Sequence, residues 1–188
     1  MIKLRFHGRG GQGTVLAVET LAYALLLDGK YAQSMPRFGA ERRGAPVMAF
    51  MRVDDRMINE RGAVNDPDCV VVLDTAMLRI APVTQGLKEG GWLIVNSSLP
   101  PEKLKVEGKF RVATVDANAI ALKHGLGTAA APVINTVLLG AVARVTGLVS
   151  LESLKEAIRN KIPTKKEDNA TAAEEAFKAV KTREAVRS

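Results

Sequence analysis

The opening of the chain restricts the fold most. An extended apolar-basic run, Ile2-Lys3-Leu4-Arg5-Phe6-His7, enters the turn Gly8-Arg9-Gly10-Gly11-Gln12-Gly13, and residues 14 to 28 then carry apolar side chains at helical spacing up to Gly29. A strand, a glycine turn and a helix in that order begin a βαβ unit. Four glycines in six positions make a poor core, so the turn is read as having been left bare to receive something.

The remaining elements fit the same plan. Extended pieces are expected near Tyr31 to Met35 and at 45 to 53, and residues 69 to 73 (CVVVL) and 91 to 96 (GWLIVN) are continuous apolar runs of the kind buried on both faces of a parallel sheet. A strand at 110 to 115 precedes a helix near 117 to 124. Two further helices are expected at 133 to 147 and 151 to 161, with Ser150 as N-cap of the second and Pro163 ending it. The last twenty residues of the helical reading, from Glu167, form an alanine-rich helix anchored by Phe177. The expected fold is α/β, a three-layer, mainly parallel open sheet with helices on both faces, Rossmann- or flavodoxin-like. Residues 1 to 188 are read as one domain, with 164 to 188 a helical appendage.

Composition narrows the function. The chain has 188 residues, 47% hydrophobic and 25% charged, enough for a sizeable core. Neither a cationic leader with a cleavage site nor a run of about 18 apolar residues is found, so a cytoplasmic location away from membranes is expected. A net charge of +7 would suit nucleic acid, but aromatics are only 4% and no finger, helix-turn-helix or RNP-like pattern occurs, so nucleic acid is not expected as a partner. The charge suits a small polyanion or an acidic protein instead. Cys69, the single cysteine, lies on an apparent buried strand and is read as packing. His7 and His124 have no carboxylate or cysteine at a metal-ligand spacing, and no metal site is expected. Asp74 and Asp116, each following a strand, are read as helix caps or loop residues ahead of any catalytic role, and no nucleophile-base pair stands out.

Two stretches carry chemistry. Gly8, Gly10 and Gly13 have G-x-G-x-x-G spacing in the strand-to-helix context of a phosphate-binding turn, where glycines admit an anion to the main chain and the helix's first N–H groups face it. The acidic residue that would hold an NAD ribose is missing from Lys30 to Ala40, and no Gly-Lys-Ser/Thr ending marks a nucleoside-triphosphate loop. The second stretch, RFGAERRGAP at 37 to 46, follows the second strand and can reach the same sheet edge. Its arginines offer planar pairs of donors to phosphate or carboxylate. Together the stretches would form a cationic, glycine-lined rim: Gly8, Gly10, Gly11 and Gly13 shaping the turn, Arg9 and Gln12 donating at its mouth, Arg37, Arg42 and Arg43 meeting phosphates or a neighbouring protein, and Glu41 orienting an arginine.

The segments RFHGRGGQGTVLAVETLA, YAQSMPRFGAERRGAPVMAFMRVDD, DPDCVVVLD, GGWLIVNSS and NTVLLGAVARVTGLVSLESLKEAI, in this order and over nearly the whole chain, resemble the gamma subunits of the 2-oxoacid:ferredoxin oxidoreductases. The form GAERRGAP is more similar to the pyruvate and branched-chain members than to the 2-oxoglutarate members. The resemblance implies a chain, inactive alone, in an enzyme that oxidatively decarboxylates a 2-oxoacid, pyruvate first, to an acyl-CoA and reduces ferredoxin. It implies alpha, beta and ferredoxin-like delta subunits as partners, thiamine diphosphate and [4Fe–4S] clusters on those partners, and a coenzyme A contact on this chain with no cofactor held by it alone. Three alternatives stay open on the residues: the ERRG loop as a subunit interface element, a stand-alone NADP-type or other nucleotide-binding protein using Arg37 for a 2′-phosphate, and a non-catalytic scaffold whose glycine turn is empty.

Overall fold

A computed structural model describes residues 1 to 37 and 44 to 185. The sheet has seven strands in the order β2-β3-β1-β4-β5-β6-β9. Its centre is parallel: β1 (Ile2–Arg9), β4 (Cys69–Val72), β5 (Trp92–Asn96) and β6 (Arg111–Val115) lie side by side. The flanks are antiparallel. β3 (Pro46–Asp54) pairs β1 with Phe6 opposite Ala49, β2 (Tyr31–Arg37) pairs β3, and β9 (Lys181–Arg183) pairs β6. The reason at the first flank is connection length: only residues 38 to 45 separate β2 from β3, and so short a connection permits only antiparallel neighbours.

The two faces are covered unequally. On one, α1 (Thr14–Leu27), α3 (Ala117–Lys123), α4 (Asn135–Thr146), α5 (Leu151–Lys161) and α6 (Lys166–Ala179) share a core with Leu4, Phe6, Val71, Ile94 and Ala113. On the other, Val70, Val72, Leu93, Val95 and Val112 pack against Met77, Val83, Leu104 and Phe110, carried by loops, the four-residue α2 (Met77–Ile80) and a 3-10 turn at Pro101–Lys103. Helices thus lie on both sides, but the second layer is mostly loop. Every side chain of β4 is buried, as a strand covered on both faces requires. Burial also places Cys69 among the core residues and pushes its thiol pKa up, so it is packing.

The C-terminal segment departs from the sequence reading. Helix α6 stops at Ala179 and the chain turns into β9, so the expected continuous helix becomes a helix and an edge strand. Nor is it peripheral: Ala170, Ala172, Ala173 and Ala176 are fully buried in the main core. Alanines permit this because α6 lies close on α4, where a Cβ on Gly140 would strike the Ala173 carbonyl. Elsewhere the caps fall where expected. Ser150 Oγ accepts the Ser153 N–H at 3.1 Å, and Asp116 caps α3 from Ala119 N at 2.9 Å. Asp28, ending α1, accepts the Ser150 N–H at 2.6 Å and its hydroxyl at 2.9 Å, which ties the end of α1 to the start of α5.

Candidate functional site

The glycine turn joins the carboxyl end of β1 to α1, at the sheet edge where open α/β folds place ligands. Glycine is required at its ends. A Cβ on Gly8 would collide with Thr14 Oγ1, and Gly13 combines φ +73° with an approach of 2.6 Å from such a Cβ to Asn135 Nδ2. Gln12 braces the turn from within: its Oε1 accepts the Arg9 N–H at 2.7 Å, while its own N–H donates to the Arg9 carbonyl at 3.0 Å. Across the sheet, the Gly10 N–H donates to the Ala45 carbonyl at 2.8 Å and the Gly44 N–H to the Gly10 carbonyl at 3.2 Å. The last residues of the arginine-rich stretch are therefore seated on the glycine turn.

The turn opens into a cleft of about 910 Å³. One side consists of Gly10, Gly11, Gln12 and Gly13; Asp74, Thr75, Asn96 and Asn118 come from the ends of β4 and β5 and the start of α3. Leu122, Val133 and the small hairpin of β7 (Gly127–Thr128) and β8 (Ala131–Pro132) close the far side. Helices α1 and α4 both begin here, neither with a side-chain cap. Their first-turn N–H groups and positive dipole ends make this the anion-receptive part of the cleft. Two buried polar atoms on either side of Gly13, Thr14 Oγ1 and Asn135 Oδ1, have no hydrogen-bond partner among the described residues. By contrast, the Asn96 carboxamide is fully engaged: it donates to the Leu73 carbonyl at 3.0 Å and to Asn118 Oδ1 at 3.2 Å, and accepts the Ala117 N–H at 3.0 Å.

Each residue singled out in the sequence has a definite place, with one exception. Gly10, Gly11, Gln12 and Gly13 line the cleft, and Gly8 lies under the turn against Thr14. Arg9 does not stand free at the mouth: its Nε lies 2.8 Å from Asp74 Oδ2 in an ion pair without hydrogen-bond alignment, and the same oxygen accepts a 3.4 Å bond from Gln12 Nε2. Asp74 additionally accepts the Ala76 N–H at 2.8 Å, so it is both the local cap expected and the counter-ion that positions Arg9. Arg37 ends β2 opposite Met48, whereas Glu41, Arg42 and Arg43 lie outside the described residues. His7 is buried beneath β1, where burial and the adjacent Arg5 charge push its pKa down to about 4. His124 pairs with Glu175 at 2.8 Å, away from the cleft. Asn135, Asn96 and Asn118 were missed. Asn96 ends a parallel strand, a position that could have been used; Asn135 reaches Gly13 across 122 positions of sequence and has no local signal.

Residues 3 to 179 match the family model described as pyruvate ferredoxin/flavodoxin oxidoreductase. The chain belongs to this family. It is 51% identical over 181 residues to the common gamma subunit of the pyruvate/ketoisovalerate oxidoreductases of Thermococcus kodakarensis, covering 94% of this chain and 96% of that one. Among solved structures, subunit PORC of the pyruvate oxidoreductase of Thermotoga maritima superimposes with a TM-score of 0.83 at 37% identity, covering 97% of this chain and 98% of that one. A 2-oxoglutarate:ferredoxin oxidoreductase from Magnetococcus marinus, solved with 2-oxoglutarate, coenzyme A and succinyl-CoA bound, shares the fold with a TM-score of 0.70 at 20% identity over 94% of this chain and 30% of that one. The protein is thus a gamma subunit of a pyruvate/2-oxoacid:ferredoxin oxidoreductase, one part of a multisubunit enzyme. For a family member the cleft is the concave feature that joins the glycine turn to two uncapped helices.

Proposed function

We propose that the cleft is the chain's contribution to coenzyme A binding, with a phosphate of the coenzyme held at the start of α1. The observation that carries this is the uncapped N-terminus of α1, opening through Gly11 and Gly13 into a cleft of about 910 Å³. The chemistry fits: coenzyme A is a polyanion with neutral donors and acceptors, and the cleft offers main-chain N–H groups beside carboxamides. When bound, coenzyme A supplies the thiol that takes the acyl group left after decarboxylation. The chain's own residues hold and orient it. Arg9 is fixed by Asp74 beside the turn, and the turn is kept in shape by Gln12. From their residue types, Arg37, Arg42 and Arg43 are assigned to phosphates or a neighbouring protein, and Glu41 to orienting an arginine.

Thiamine diphosphate and the [4Fe–4S] clusters are assigned to alpha, beta and ferredoxin-like delta subunits, and ferredoxin to the assembled enzyme in the cytoplasm. A single cysteine cannot supply the four thiolates that such a cluster ordinarily takes.

Gly11 provides the test. Its φ is +93° and a Cβ there meets nothing within 4 Å, so Asp and Asn, which tolerate this backbone region better than most, bear similar strain and differ in charge. In the assembled enzyme Gly11→Asp is expected to raise KM for coenzyme A roughly tenfold over Gly11→Asn, with KM for the 2-oxoacid unchanged. Equal KM values for coenzyme A in the two variants would remove the anion from the turn.

A further inference from the structure

Asn135 is 4% exposed, begins α4 and lines the cleft, yet its Oδ1 has no partner among the described residues. Its orientation follows from its other end. Nδ2 faces the Gly13 carbonyl at 3.5 Å, an acceptor, so exchanging the two amide atoms would set oxygen against oxygen. Burying a carboxamide oxygen without a donor is costly, and the other buried carboxamides nearby are satisfied: Asn96 uses both ends of its amide, and Asn169 accepts from Thr136 Oγ1 at 2.6 Å while donating to the Lys165 carbonyl at 2.8 Å; Thr14 Oγ1, across Gly13, shares the unmet condition. The unmet acceptor stands beside two uncapped helix starts, which favour an anion.

We infer that Asn135 is a specificity-determining residue of this cleft, its Oδ1 accepting a hydrogen bond from a neutral N–H or O–H of the ligand while the ligand's phosphate lies at the start of α1. The inference rests on the cleft being the coenzyme A site. It goes beyond that reading by requiring a ligand with both an anion and a neutral donor, so a bare polyphosphate leaves Asn135 unmet. Asn135 and Val133 are also walls of a neighbouring cavity of about 440 Å³, lined by Leu126, Ile162 and Pro163, where an uncharged group can sit. The wall able to yield as a ligand reaches the oxygen is the β7–β8 hairpin, held by two cross-strand pairs and built at its tip from Ala129 and Ala130. Coenzyme A has two sources of such a donor, its adenosine half and its pantetheine arm.

The experiment measures competitive inhibition against coenzyme A in the assembled enzyme, using inorganic pyrophosphate, adenosine 3′,5′-bisphosphate and 4′-phosphopantetheine as probes. Asn135→Leu, close in shape and without the acceptor, is expected to weaken one of the two half-molecules roughly tenfold and to leave pyrophosphate unchanged. The half-molecule affected identifies the donor. If all three probes weaken together, Asn135 only braces Gly13 and the inference is overturned; if none weakens, the oxygen meets no ligand and it is overturned equally. Should Asn135→Leu fail to assemble, Asn135→Ala removes the acceptor in a smaller side chain and is read the same way. Failure of all three probes to compete in the unaltered enzyme would instead remove coenzyme A from the cleft, and the inference with it.

Discussion

Arg5 and His7 lie side by side under β1, the Arg5 Nε–H donating to His7 Nε2 at 3.0 Å and the Arg5 guanidinium reaching the carbonyls of Val83 at 2.9 Å and Gln85 at 2.6 Å. The imidazole must stay neutral to accept that bond. Burial first, and the Arg5 charge second, push its pKa down to about 4. The unfolded chain, with an ordinary histidine near 6.5, binds the proton more readily, so this stabilisation is complete above about pH 6.5 and is lost as pH falls toward about 4. At full loss it amounts to about 3 kcal/mol. Urea denaturation between about pH 7.5 and 4.5 is expected to show that decline, and His7→Gln, which keeps an acceptor for Arg5, is expected to flatten it. A slope that His7→Gln leaves unchanged would assign the decline to other groups. At this scale the sequence was informative wherever a residue answers to its neighbours. Gly8 and Gly13 are glycines because of contacts within or against the turn, and the pattern shows them. The pairing of Arg9 with Asp74 and the unmet oxygen of Asn135 arise only when distant strands and helices converge, and no local pattern carries them.

Among the elements, α4 and α6 depend on closeness rather than on large side chains. Gly140 faces the Ala173 carbonyl, and the buried face of α6 is alanine. Gly140→Ala sets two effects against each other: better helix propensity, worth up to about 1 kcal/mol, and a methyl driven into a backbone carbonyl that cannot rotate away. The collision wins, and a net loss of roughly 1–3 kcal/mol in unfolding free energy is expected by urea denaturation. Unchanged stability would mean that α6 shifts outward freely. The same packing explains the misread C-terminus. An alanine-rich, charge-dotted stretch has the composition of a solvated helix, and only the surface of α4 makes it a core helix; likewise only the free edge of β6 makes a strand of Lys181–Arg183. Strands β4 and β5 were legible because their apolar runs are continuous, a consequence of cover on both faces.

For the whole molecule, five helices cover one face of the sheet, loops mostly cover the other, and the cleft lies at the carboxyl edge where β1, β4 and β5 end. This arrangement places an anion-receptive turn and an unmet carboxamide in one opening, beside the ion pair of Arg9 with Asp74, and the chain supplies no cluster of cysteines for electron transfer. The contribution to a multisubunit oxidoreductase that we propose for it is therefore one of holding, with coenzyme A as the held group. Hydrogen–deuterium exchange on the assembled enzyme, with and without coenzyme A, tests that most directly. Slowed exchange is expected in this chain at residues 9 to 17 and 133 to 138, the turn and the starts of α1 and α4. Protection confined to the other subunits, with these two segments unchanged, would contradict the account.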